Sequence, residues 1–254
     1  MDTRPFQPFS TSHWLVLGFT LLVGALLIRW FRRADAPAAR KQWIRDQIAI
    51  VLIVAVALDP VLAWLRYHAD PSTAWQIVVQ DSLPLHLCDV VSLLLAWALA
   101  TGDRYVAEVG YFWSVAATTQ GLLTPTLPFD WHSPEFYAFF AQHGGAPVAG
   151  MLLAFGIGLA PQAGYFKRMV IWSWAYLIGM LVLNLLLGTN YGFINGKPTV
   201  PSLLDHLGPW PWYLIPLQII GFSFYLILGE AARFLSRRFP LPDTTSRSAE
   251  KSLV

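Results

Sequence analysis

Ile48-Ala49-Ile50-Val51-Leu52-Ile53-Val54-Ala55-Val56-Ala57-Leu58 is an unbroken apolar run at the centre of a longer apolar segment, 47–67. A helix needs about 20 such residues to cross a bilayer. There is no apolar–polar alternation, so this is not a strand of a membrane barrel. Six further segments read the same way: 14–30, 83–100, 105–123, 136–160, 169–187 and 212–232. The expected fold class is all-α: a polytopic membrane helix bundle with seven transmembrane helices. The third segment is the shortest, because Leu83-Pro84 opens it and His86 and Asp89 interrupt it.

The composition agrees with that reading. Of 254 residues, 56% are hydrophobic and only 13% are charged. That charge is about half the share a soluble domain carries. The mean hydropathy is +0.49. These values exclude a disordered chain and a disulfide scaffold, and Cys88 is the sole cysteine. A net charge of +2 implies no polyanionic partner and no nucleic acid.

Lys and Arg set the orientation. With seven spans, fourteen of the seventeen fall on one side and only Arg4, Arg66 and Lys197 on the other. This predicts the N-terminus outside and the C-terminus in the cytoplasm, in a cell membrane. The first span has its basic residues after the apolar run, the reverse of a cleaved signal peptide, and is expected to be retained. Residues 1–232 form the transmembrane domain, and 233–254 a basic tail that reads as disordered from Pro240.

An ionisable residue inside a span costs about 2.5–3.5 kcal/mol at mid-helix and asks for a reason. The predicted orientation gathers these residues in the outer half. They are His13, Asp59, His86, Cys88, Asp89, Gln120, His143, Asn184 and Asn190, with Asp205 in the loop before the last span. A polar cavity there satisfies many of them at once. Of the inner carboxylates, Asp46 and Glu230 lie near arginines. Glu108 is one turn from Arg104, at the spacing of a helical ion pair.

Leu85-His86-Leu87-Cys88-Asp89 is the densest chemical stretch. In regular helix His86 and Asp89 share a face and Cys88 sits about 160° away, a poor place for His86 to act as its base. A distortion at Pro84 changes that. His143, from another helix and beside Gly144-Gly145, is the better base for a thiol nucleophile. A metal held by His13, His86 and His143 is a second reading, but their spacing fits no compact motif, and no metal or cofactor is expected. A third is a hydrogen-bonded core that fixes helix register.

Several stretches together resemble a known family. They are Leu83-Pro84-Leu85-His86-Leu87-Cys88, Leu122-Leu123-Thr124-Pro125, Gln142-His143-Gly144, Gly188-Thr189-Asn190-Tyr191-Gly192-Phe193, and Ser202-Leu203-Leu204-Asp205 with Leu207-Gly208-Pro209-Trp210-Pro211-Trp212-Tyr213. In this order they resemble the bacterial YwaF-like integral membrane family, related to eukaryotic transmembrane protein 164. The resemblance covers about residues 13–230. It implies a phospholipid acyltransferase with Cys88 as the acyl-accepting nucleophile and His143 as a base. The expected partners are membrane lipids. His86 is a further catalytic candidate. His13, Asp59, Asp89, Gln120, Asn184, Asn190 and Asp205 are candidates for substrate binding. The alternatives are a non-catalytic protein that binds or transports a small molecule, and a structural or assembly partner.

Overall fold

The computed structural model describes residues 5–125, 127–198 and 202–242. The expected tail beyond Pro242 lies outside them. Among the described residues nine α-helices follow one another: α1 (Thr11–Phe31), α2 (Ala38–Tyr67), α3 (Pro71–Ile77), α4 (Leu87–Thr101), α5 (Arg104–Trp113), α6 (Thr119–Leu123), α7 (Pro134–Met151), α8 (Tyr165–Leu187) and α9 (Leu214–Arg238). Wider π turns extend three of them: Val78–Ser82 after α3, Ser114–Thr118 between α5 and α6, and Leu152–Ile157 after α7. No strand is present among the described residues, only an isolated bridge between Pro5 and Phe129.

Five helices are long and apolar enough to cross a membrane: α1, α2, α7 with its π turn, α8 and α9. A sixth arises if Val78–Ser82 with α3 and then α4, bent by 68°, count as one span. The chain is therefore an all-helical, multi-pass membrane protein. The 105–123 segment is helical too, but its pieces of 10, 5 and 5 residues are each shorter than a crossing. The last helix runs past the expected end at Ala232 to Arg238.

Burial is arranged for a lipid solvent. Leu21 is 74% exposed and Leu186 77% exposed, which in water would be costly and in a bilayer costs nothing. The centre is α4, α5 and α7, whose core is Leu95, Leu99, Phe112, Ala146, Leu152 and Leu153. Helices α1 and α2 pack on α7 from one side, and α8 and α9 pair on the other. Small residues permit the close approaches. A Cβ on Gly144 would stand 2.9 Å from the Thr20 hydroxyl of α1.

Local sequence explains the breaks. Gly102 closes α4 in the left-handed region, with its N–H on Ala98 O. Asp103 then caps α5 by accepting from the Tyr105 and Val106 amides. Two residues thus turn the chain back on itself. At the other end of α4, Pro84 has no N–H and holds Leu83 extended (ψ 149°). Helix α4 consequently starts at Leu87 and not at the expected 83. Helix α3, between the second and third expected spans, starts at Asp70-Pro71, where the Asp70 carboxylate accepts from the Ser72 and Thr73 amides.

Candidate functional site

His86 is the N-cap of α4, with φ −62° and ψ 153°. The regular-helix geometry expected for His86 and Cys88 does not apply, because the Pro84 break precedes both. Cys88 lies at the second helical position, where amide N–H groups without helical partners and the positive end of the helix dipole favour negative charge. Asp89 follows. Its Oδ2 accepts from the His86 amide at 3.1 Å, closing the first turn. Its Oδ1 accepts from Gln142 Nε2 at 2.6 Å and lies 4.0 Å from the Cys88 sulfur.

The Gln142–Asp89 bond ties α7 to α4 next to both candidate residues, since Cys88 precedes Asp89 and His143 follows Gln142. The His143 ring is stacked on Phe139 with centroids 4.0 Å apart. Its other side lies against Gly121, where a Cβ would overlap the ring. A carbonyl oxygen can only accept, so His143 Nδ1–H donates to Phe139 O at 3.0 Å. In the neutral ring that leaves the Nε2 lone pair as the acceptor. His86 has the opposite arrangement. Its Nδ1 accepts from the Gly192 amide at 3.4 Å, so Nε2 carries its proton. The two imidazoles are within electrostatic range of each other. The His143 ring presents a lone pair, whereas the second nitrogen of His86 is engaged by the Asp81 backbone.

Asp59 of α2 faces the Ser82 hydroxyl and lies in electrostatic range of Asp89. Neither carboxylate has an ion-pair partner among the described residues. No group of three His, Cys, Asp or Glu among them could hold a metal.

The loop after α8 secures this region. The Asn184 amide is saturated: Nδ2 donates to Tyr191 O and Asn195 Oδ1, and Oδ1 accepts from Thr189 Oγ1 and the Tyr191 amide. Asn190 is engaged within the same loop, with Gly196 and Asn195. Tyr191, thus fixed, accepts from the Leu83 amide at 3.0 Å and donates to Val79 O at 2.7 Å. Tyr176 of α8 donates to Leu85 O at 3.0 Å. Both asparagines, candidates for substrate binding, make their hydrogen bonds with this loop.

The remaining candidates lie apart. His13 is fully buried, with Nε2–H on Leu122 O at 2.8 Å and Nδ1 accepting from the Phe9 amide at 2.9 Å. It joins α1 to the end of α6, and both its nitrogens are used. Gln120 is exposed on α6. Asp205 is exposed and accepts from the Ser202 amide at 2.8 Å. Glu108 does not pair with Arg104. It is 2% exposed and binds Arg168 of α8 through two bonds of 2.7 Å, because the chain brings α8 across α5. Sequence reading gave no role to Gln142 as a partner of Asp89, nor to Ser82, Tyr176 or Gly192. Only Gln142, polar inside an apolar helix beside His143, carried a usable signal.

No curated protein and no solved structure matches the chain. A protein-family model, described as the TMEM164 family, matches residues 8–228. That match contains every helix of the site, α2, α4, α7 and α8, and by it the chain belongs to the TMEM164 family.

Proposed function

We propose that this protein is a cysteine-dependent acyltransferase that moves an acyl chain between glycerophospholipids through a thioester on Cys88. The observation that carries it is the Gln142–Asp89 bond, which joins the Cys88 and His143 segments inside an apolar bundle. The family resemblance adds the reaction class. His143 Nε2 takes the thiol proton as sulfur attacks the ester carbonyl, so that no free thiolate stands beside Asp89. The carbonyl–oxygen bond breaks, and the departing lysophospholipid takes the proton from His143. A second lipid hydroxyl then attacks the thioester, giving its proton to His143. The thiolate leaves and recovers that proton.

The same reading includes seven crossings, with α5 to α6 as the fourth, and an outer N-terminus. The Lys and Arg asymmetry supports it. A site in the outer half favours a phospholipid donor over cytoplasmic acyl-CoA. The test uses the full chain in nanodiscs with an acyl-labelled phospholipid and a lysophospholipid acceptor. Cys88→Ala is expected to lower transfer by about a thousandfold or more. With acceptor withheld, intact mass is expected to show an acyl adduct on Cys88. Full transfer by Cys88→Ala, with no adduct on the unaltered protein, overturns the proposal.

A further inference from the structure

At the opposite end of the bundle, the turn from α1 to α2 meets the Leu152–Ile157 π turn and residues 241–242. Between them is a half-open cavity of about 240 Å³. Its lining includes Arg32, Arg33, Lys41 and Arg45, with Phe31 and Leu241 as apolar walls. We infer that this pocket binds a phosphate group.

Arg33 is neutralised by a two-bond pair with Asp35. The other three cations have no carboxylate partner among the described residues. Asp46, in electrostatic range of Arg45, is engaged by Gln42 Nε2 at 2.8 Å. Backbone carbonyls hold the three cations in place. Arg32 donates to Phe155, Phe239 and Pro240 O, Lys41 to Arg33 O, and Arg45 Nε to Leu99 O. Among the described residues, two N–H groups of Lys41 and the terminal amino groups of Arg45 remain unengaged.

Like charges held together in a partly desolvated pocket repel until an anion enters. Donors already fixed by carbonyls lose little side-chain freedom on binding. Several such donors suit the oxygens of a phosphate, and apolar walls suit the carbon skeleton of a lipid headgroup. A basic face that served orientation alone would leave its cations spread over the surface, as Arg40 is. The site is independent of the chemistry proposed at Cys88.

The test titrates the full chain in non-ionic detergent with phosphatidic acid, and separately with glycerol phosphate. Binding is read by native mass spectrometry and thermal shift. Lys41→Gln and Arg45→Gln are each expected to weaken binding roughly fivefold, and together roughly 25-fold. Arg40→Gln makes the same charge change on the same helix outside the pocket and is expected to stay within about twofold. Saturation by phosphatidic acid alone identifies a lipid headgroup. Equal binding of glycerol phosphate identifies a soluble phosphate at the same site. The inference is overturned if neither probe binds, if Arg40→Gln weakens binding as much as Lys41→Gln, or if the double variant binds like the unaltered protein. Should Arg45→Gln fail to fold, Lys41→Gln, whose one bond is to Arg33 O, decides.

Discussion

Two buried carboxylates divide this protein into regions of different character. Glu108 is clamped by Arg168 through two charge-assisted bonds, and Gln162 N–H adds a third at 3.2 Å. Asp89 has only neutral donors, the Gln142 amide and the His86 N–H. The first arrangement leaves no capacity for anything else and serves as a lock between α5 and α8. The second keeps a carboxylate beside a thiol without a fixed cation. The two carboxylates thus differ in what each is given as a partner.

Removing each partner tests that difference. Glu108→Ala removes the lock but leaves Arg168, partly exposed, with the Ala163 and Gln162 carbonyls, and is expected to destabilise the fold by about 1.5–3 kcal/mol. Thermal unfolding measures it, and a loss under about 1 kcal/mol would dissolve the contrast. Asp89→Asn keeps an acceptor for Gln142 but not for the His86 amide, and is expected to cost about 1 kcal/mol. On the acyl-transfer reading, the same variant lowers transfer more than tenfold, and unchanged transfer would remove Asp89 from the chemistry. Thr118, buried with no hydroxyl partner among the described residues, offers a smaller test. Thr118→Val keeps the shape and is expected to leave stability unchanged or slightly raised. A clear loss would reveal a bound water or ligand there.

The smallest effect concerns an exposed carboxylate outside the bundle. Hydrogen bonds from the Thr73 and Ser72 side chains hold the Asp70 carboxyl down at about 2. A lowered folded value means the cap supports α3 above the ordinary carboxyl range, near 3.9, and loses that support as pH falls through about 2. Amide exchange in α3 is expected to rise over that window in the native chain and to stay flat in Asp70→Asn.

Sequence legibility followed the same division. Helices α1, α2, α8 and α9 could be read because each must present apolar side chains to lipid along its whole length. Helix α3 and its π turn were missed because Ser72 and Gln76 in the one and Gln80 and Asp81 in the other look like loop, although Asp70-Pro71 is a helix-start signal. Cys88, His143 and Asp89 stood out as costly polar groups in apolar runs. Their surroundings did not. The partner of Glu108 and the Leu122 carbonyl that His13 binds depend on contacts between residues far apart in the chain. Spacing along one helix cannot reveal such contacts, and it suggested Arg104 instead.

The Tyr191 hydroxyl bonds to both sides of the Pro84 break, Val79 before it and Leu83 at it. A proline break between two short helices would otherwise act as a hinge. Bridged from a third segment, it becomes a rigid elbow, and α3, the start of α4 and the loop after α8 move as one lever. A disturbance of the loop after α8 is then expected to reach the segment that carries Cys88, about a hundred residues away along the chain. A probe on Gly196 would report on the sulfur's surroundings without touching them.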